Sequence, residues 1–222
     1  MKKKILYKGR KILFCLLVFF IVGISCHEKV RELTLDERYS QIDKISSLAH
    51  CKGPNGAYTT KVLSKKDGSL FFSQVFEYRD SPFRAELYPG NKGYVLDSVN
   101  NVSDTLSGVA IAMIRSHDFH RMQTNPKAFY TDITFEKIAE NEMELFSAVD
   151  VLQNPVKIYY DREREQIRMV EFLNMADTTE VIRVEYKKWI ESAYGKLAKE
   201  VEIVQAAKDT FNFQFENLKI NE

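Results

Sequence analysis

Alternation of apolar and polar residues dominates this chain. Phe211, Phe213 and Phe215, for example, alternate with polar neighbours near the C-terminus. A period of two places one face of a strand in the core and the other in solvent. Leu218 and Ile220 break the parity of the three phenylalanines, which predicts a bulge near Asn217. The pattern predicts strands over residues 57–64, 69–79, 82–88, 94–96, 143–151, 155–160, 166–174, 180–187, 199–206 and 210–220.

Two segments depart from this period and predict helices. Thr34 and Glu37 have the spacing of a capping box, and an apolar stripe with helical intervals follows them through Ala49. A second amphipathic helix is predicted where apolar residues recur at steps of three and four between the two strand series. Residues 119–132 are mixed, and we expect irregular or short helical structure there. The second stripe consists of Leu106, Val109, Ala110, Met113, Ile114 and His117.

These elements predict an α+β, mainly β, fold. About ten antiparallel strands with local connections favour a curved antiparallel sheet or incomplete β-barrel. One face of that sheet must be covered, and we expect the N-terminal helix and the helical insertion to cover it. Residues 34–222 are expected to form a single domain, with 26–33 as a short tether.

The first 25 residues have the layout of a secretory signal peptide. Six basic residues precede an apolar run over residues 12–24, which is too short to cross a bilayer comfortably. The run ends in Gly23-Ile24-Ser25-Cys26, which resembles the lipobox of bacterial lipoproteins, although Leu is usual where this chain has Gly23. That resemblance implies acylation of Cys26. A plain cleaved signal or an uncleaved anchor is the alternative.

Charge and cysteine usage narrow the function classes. Residues 26–222 carry 26 Lys and Arg against 31 Asp and Glu, a net charge of −5, so a nucleic-acid partner is not expected. Once residues 1–25 are removed and Cys26 is acylated, Cys51 stands alone. A lone thiol is a candidate nucleophile, but a small buried hydrophobe is the simpler interpretation.

The second half of the chain resembles the lipoprotein-carrier superfamily of LolA, LolB and LppX, from about residue 141 to 221. Asn154-Pro155-Val156-Lys157-Ile158-Tyr159-Tyr160-Asp161 is similar to the family's strand–turn segment, and four later segments follow in the family's order. Where many relatives have Leu-Pro, this chain has Leu197-Ala198. The four segments are Arg168–Asn174, Val181–Trp189, Leu197–Gln205 and Thr210–Asn221.

The resemblance implies a half-barrel with a helical lid over a hydrophobic cavity that holds acyl chains. With Cys26 acylated, it further implies a membrane-anchored protein of the bacterial cell envelope, at the outer membrane on its periplasmic or surface side. Lipoprotein or lipid trafficking is the expected context, with a lipid ligand, envelope proteins as further partners and no cofactor. Strand parity shows which residues share a face but not which face is inside. The expected cavity residues are Phe72, Phe76, Phe83, Met143, Leu145, Ile182, Val184, Phe211 and Phe213.

Two other hypotheses stay open. The same fold with a filled core and no ligand would make this a structural or protein-interaction lipoprotein. An enzyme is the third: His117 and His120 have a spacing that could face one metal, but His50 and His27 offer no recognisable third ligand. A polar helix end near the negative pole of the helix dipole explains the pair more simply. The sequence contains no G-x-S-x-G, H-E-x-x-H, phosphate-loop or dinucleotide-binding motif, so no enzymatic activity and no metal are expected.

Overall fold

Antiparallel strands pair in one large curved sheet that does not close into a barrel. The computed structural model describes residues 31–79, 81–97, 99–174, 177, 179–205 and 209–222. The predicted signal peptide over residues 1–25, Cys26 and most of the tether lie outside the described residues. The predicted fold class, an open half-barrel that is mainly β, is confirmed. The strands are β1 (Lys44–Gly53), β2 (Gly56–Lys65), β3 (Leu70–Phe76), β4 (Phe83–Tyr88), β5 (Lys92–Leu96), β6 (Val102–Thr105), β7 (Tyr130–Ile138), β8 (Glu144–Asp150), β9 (Pro155–Asp161), β10 (Gln166–Leu173), β11 (Val181–Ser192), β12 (Gly195–Gln205), β13 (Asp209–Phe215) and β14 (Lys219–Ile220).

The spatial order of the strands explains why the sheet stays open. It runs β6-β5-β4-β3-β2-β1-β13-β12-β11-β10-β9-β8-β7, and β14 pairs with β1. Strands β6 and β7 are therefore the two edges. Every residue of β6 is exposed, and the pairing of β7 with β8 is interrupted by two register shifts. Short or bulged strands are poor templates for further pairing, so both edges are protected against it.

The chain between the two edge strands supplies the helices. Helix α1 is Gly108–Arg115 and helix α2 is Phe119–Thr124, with short 3-10 helices at Glu37–Gln41, Pro126–Ala128 and Glu140–Glu142. The predicted helical insertion is thus confirmed. Helix α1 packs on the first half of the sheet, whereas α2 packs with the core of the second half.

The predicted helix over residues 34–49 is wrong. Only Glu37–Gln41 is helical, and Lys44–Gly53 is strand β1. The apolar positions Ile42, Ile45 and Ala49 fit a helical interval, but the buried positions of β1 alternate and include a serine, Ser47. A polar residue on the inner face concealed the period of two. The lid over the sheet is therefore made by α1 and α2 without an N-terminal helix.

The predicted bulge near the C-terminus is confirmed. Phe215 lies opposite Ala49, and Ile220 lies opposite Ile45. The five residue steps from Phe215 to Ile220 therefore lie opposite only four steps on β1, from Ala49 to Ile45. The extra residue moves Ile220 to the parity that a single uninterrupted strand would not give it.

The N-terminal segment, residues 32–39, closes one end of the half-barrel. The Tyr160 hydroxyl donates to the carbonyl oxygen of Thr34, and the Arg162 guanidinium donates to that of Glu32 at 3.0 Å. Gly195, the first residue of β12, has a φ of 99° and lies against Tyr39, so close that a Cβ there would be 2.7 Å from the tyrosine ring. The positive φ and the close approach to the ring both favour glycine, so Gly195 allows the N-terminal segment to pack against this part of the sheet.

Candidate functional site

An apolar groove of about 360 Å³ lies between α1 and the concave face of the sheet. The helix contributes Val109 and Met113, whose side chains remain 50% and 55% exposed. The side chains that line the groove, among the described residues, include none of Asp, Glu, Lys or Arg. The remaining lining side chains are Tyr58, Ser116, His117, Phe172, Asn174, Ile182, Val184, Ile203, Gln205, Phe211 and Phe213.

The sequence of α1 explains why the groove has an apolar wall on the helix side. Ile111 and Ile114 are buried against β2–β5, with Ile111 only 1% exposed. Val109 and Met113 belong to the apolar stripe seen in the sequence, but they lie beside that packed face and border the groove. Helix α1 therefore has an apolar surface wider than its contact with the sheet requires.

The groove opens at the end of the half-barrel opposite the N-terminal segment. Ile182, near the start of β11, lines the groove, whereas Ser192 at the other end of the same strand precedes the turn that packs on Tyr39. A strand rises about 3.3 Å per residue, so these two places are roughly 30 Å apart. The chain thus enters the fold at the closed end.

A second cavity of about 470 Å³ adjoins the groove and shares Ser116 and Phe172 with it. This side cavity is more polar, because Lys66, Arg115 and Asp150 contribute to its lining. Arg115 donates to the carbonyl oxygens of Gly68 and Tyr88 at 2.9 and 3.1 Å, which fixes the C-terminal end of α1 against two turns.

The predicted cavity residues fall into three places. Ile182, Val184, Phe211 and Phe213 line the groove together. Phe72 and Phe83 pack beneath α1, and Phe76 stacks on Tyr58 at a ring distance of 5.1 Å, beside the groove.

Met143 and Leu145 lie away from the groove. Met143 precedes β8, and Leu145 pairs with Tyr159. The neighbouring Phe146 is in the main core, and adjacent strand residues point to opposite faces, so Leu145 is on the other side of the sheet.

Several lining residues were not expected from the sequence. Val109, Met113 and His117 were visible as a helical stripe, but a stripe does not reveal which side chains a sheet leaves uncovered. Tyr58, Phe172 and Ile203 lie on strands that were predicted, and their role in the groove follows from the curvature of the sheet.

No protein-family model and no curated protein sequence matches the chain. The solved structure of a LolA superfamily protein from Nitrosomonas europaea is similar, with 12% identity, a TM-score of 0.61, and coverage of 84% of this chain and 91% of that one. A DUF1329 family protein from Desulfovibrio piger is also similar, with 10% identity, a TM-score of 0.56, and 83% and 89% coverage. A putative outer membrane lipoprotein-sorting protein domain from Vibrio parahaemolyticus is similar too. It has 8% identity, a TM-score of 0.51, and coverage of 83% of this chain and 89% of that one.

The chain has a LolA-like fold. The sequence resemblance that was strongest from residue 141 onward is thereby confirmed at the level of fold. At 8–12% identity these likenesses describe architecture alone, so the chemistry of this LolA-like chain has to be read from its own residues.

Helix α2 is buried, and its polar side chains form hydrogen bonds with backbone groups of neighbouring segments. His120 Nε2 lies 2.9 Å from the carbonyl oxygen of Ala198, and Gln123 both donates to Lys196 O at 2.9 Å and accepts from Ala198 N at 3.2 Å. Arg121 donates to Ile42 O at 2.9 Å. The bonds of His120 and Gln123 occupy backbone groups of β12 next to the stretch where its pairing with β13 has ended, whereas that of Arg121 goes to Ile42, just before β1 begins.

His117 and His120 have separate structural surroundings. His120 is buried within α2, where burial lowers its pKa to about 4, so it does not lie at the C-terminal end of the preceding helix, as the sequence interpretation had it. His117 lines the groove instead. Within the described part of the chain, no group of three His, Cys, Asp or Glu residues could hold a metal ion.

Cys51 is a free, buried thiol. Burial raises the pKa of the thiol to about 11, which keeps it protonated and a poor nucleophile near neutral pH. The residue packs in the main core as a small hydrophobe.

In the described ranges, no helix combines the length and apolar character needed to cross a membrane.

Proposed function

We propose that this chain is a lipid-anchored protein of the bacterial cell envelope that holds one apolar chain of a lipid or similar amphiphile in the groove. The observation that carries the proposal is an uncharged groove whose helical wall presents two half-exposed apolar side chains, Val109 and Met113. Its volume lies within the range of about 300–1,000 Å³ that is typical of ligand pockets.

Physical chemistry supports this use of the groove. Each methylene group moved from water into an apolar site contributes about 0.8 kcal/mol, so an alkyl chain can bind without a charged anchor. The open side, between α1 and strands β10–β13, allows a long chain to slide in and leave without unfolding the sheet. The resemblance to lipoprotein carriers and the LolA-like fold agree with such a ligand.

Native mass spectrometry tests the proposal. The Cys26→Ser chain cannot be acylated at this position, so no covalently attached acyl chain competes with the added lipid. We expect one palmitoyl lysophospholipid to bind per chain and a Met113→Trp variant, which fills the groove from an exposed position, to lose most of that binding. Failure of the Cys26→Ser protein to retain or take up any lipid would contradict the proposal.

The membrane anchor is a separate part of the proposal. Cys26 follows a signal-like segment, and two or more acyl chains on one residue hold a protein stably at a membrane. The mass of the mature N-terminus decides this point: we expect a triacylated Cys26 peptide and loss of membrane attachment in Cys26→Ser. An unmodified N-terminus at another residue would refute the anchor while leaving the groove untouched.

A filled core favours the alternative, a structural or protein-interaction lipoprotein. Phe213 lines the groove but is fully buried, and its ring lies 5.0 Å from Phe119 and 6.1 Å from Tyr58. We expect Phe213→Ala to cost about 3–5 kcal/mol, as in a packed core. The alternative function predicts a comparable loss at Phe211, whereas a groove wall that is partly open predicts a clearly smaller one.

A further inference from the structure

We infer that the groove prefers a ligand whose buried end carries a hydroxyl group, and that His117 accepts the hydrogen bond from it. The inference rests on the proposed function, since it concerns the ligand of the same groove. It goes further by assigning polarity to one end of that ligand and a recognition role to one residue.

His117 is a polar group set among aromatic rings. It follows the last turn of α1, and its imidazole lies 5.3 Å from the ring of Phe72, 5.9 Å from that of Phe119 and 6.1 Å from that of Phe213. All three phenylalanines are buried core residues, and Phe213 also lines the groove, as His117 does. A ligand in the groove therefore meets an imidazole at its aromatic inner wall.

The hydrogen bond that His117 already makes determines what the ring can offer. Nδ1 lies 3.0 Å from the carbonyl oxygen of Met113. A carbonyl oxygen only accepts, so Nδ1 carries the hydrogen. In the neutral ring, Nε2 is then an acceptor, and it points away from the helix backbone. Nε2 has no hydrogen-bond partner within the described residues.

Burial favours the neutral ring. It lowers the pKa of His117 below its usual value, with a smaller opposing effect from the bond to Met113. The imidazole is thus an acceptor at neutral pH and does not serve as a cation for an anionic head group.

The other histidine of this region provides the contrast. His120 Nε2 donates to Ala198 O at 2.9 Å, and the ring is buried in α2 away from the groove lining, so it is not available to a ligand there. In the groove, the Ser116 hydroxyl donates to the same Met113 carbonyl oxygen at 2.7 Å. An alkyl end pressed against Nε2 would leave a desolvated acceptor unpaired, whereas a hydroxyl group would satisfy it.

Two probes of equal size isolate this hydrogen bond. 1-Dodecanol and methyl undecyl ether have the same number of heavy atoms, but only the alcohol donates. Isothermal titration calorimetry of the Cys26→Ser chain should show that the alcohol binds roughly 3- to 10-fold more tightly, as one neutral hydrogen bond implies. His117→Phe, which keeps a ring in place, should bind both probes with the affinity of the ether.

A matched control separates this role from a general effect of losing a histidine. His50 is exposed and pairs with Glu216 outside the groove, so His50→Phe should keep the preference for the alcohol. Equal binding of the two probes to the parent protein, or a preference that survives His117→Phe, would overturn the inference while the proposed function stands. Absence of binding by both probes would overturn the two together. If His117→Phe does not fold, the ratio of affinities in the parent protein still decides.

Discussion

Single residues in this protein show that a buried polar side chain can serve the backbone of the fold. Gln123 is 0% exposed, and both ends of its amide are bonded to β12. His120 and Arg121 act in the same way on neighbouring backbone groups. The histidine pair that suggested a metal in the sequence is thereby divided between a structural role and the groove wall.

Gln123→Ala tests how much these buried hydrogen bonds contribute to the stability of the fold. The change leaves the Ala198 amide without its side-chain partner and removes one of the two side-chain donors to the Lys196 carbonyl, the other being the Tyr39 hydroxyl. We expect a loss of about 1–3 kcal/mol in the free energy of unfolding. Urea denaturation measures it. Gln41→Ala removes an exposed glutamine side chain and should cost less than about 0.5 kcal/mol. Equal losses in the two variants would show that the bonds of Gln123 contribute nothing specific.

Two buried groups near the junction of α1 and α2 give opposite pH dependences. Burial raises the pKa of Asp118 to about 6 from 3.8, so protonation of this carboxyl stabilises the fold as pH falls from 6 toward 4. Burial lowers the pKa of His120 to about 4 from 6.5, so its unfolded form binds the proton first and the fold loses stability over nearly the same interval. The two effects largely offset each other.

Asp118→Asn should expose the contribution of His120. Without the carboxyl, nothing in this pair opposes the loss at the histidine, and stability should fall more steeply between pH 6.5 and pH 4 than in the parent protein. Urea midpoints measured across that range provide the comparison, with Asp43→Asn at an exposed carboxyl as control. Parallel curves for the parent protein and Asp118→Asn would contradict the assigned pKa shifts.

At the scale of elements, α1 has two apolar surfaces with different tasks. Ile111 is buried against Leu87 and the first half of the sheet, while Met113, two residues later, remains more than half exposed beside the groove. Gly93 permits the close packing of Ile111, because a Cβ at that position would lie 2.9 Å from its side chain.

A pair of truncations in α1 separates the two surfaces. Ile111→Ala should lower the free energy of unfolding by about 2–5 kcal/mol, whereas Met113→Ala should change it by less than about 0.5 kcal/mol. Binding should respond in the opposite sense, with Met113→Ala weakening lysophospholipid affinity at full folding. If Met113→Ala destabilises the protein as strongly as Ile111→Ala, Met113 is a core residue and not a groove wall.

The sequence predicted most elements because their apolar patterns were clear, and it failed where polar residues were used in unusual ways. Strand β1 was mistaken for a helix because Ser47 occupies an inner position. Edge strands β6 and β7 were not recognised as strands, because β6 is exposed along its whole length and two register shifts interrupt the apolar alternation of β7. For the groove, parity grouped Phe211 with Phe213, but parity does not show which face of a strand is inside, and on β8 Leu145 lies on the face away from Phe146 and the main core.

At the scale of the molecule, the open sheet and its lid divide the interior into filled and empty parts. The second half of the sheet and α2 enclose a core centred on Phe119, Phe146 and Tyr186. Helix α1 packs on the first half of the sheet and leaves the concave face of β10–β13 partly uncovered. The groove lies in this uncovered region. Residues 32–39 lie at the opposite end of the half-barrel from the groove.

Photolabelling with a single-chain alcohol that carries a diazirine in its alkyl chain tests most directly whether the groove is a ligand site. After irradiation of the Cys26→Ser protein and peptide mapping, we expect labelled positions in residues 109–117, 172–184 and 203–213, and their loss in Met113→Trp. Labels spread over the outer face of the sheet, or the same yield in Met113→Trp, would contradict the account.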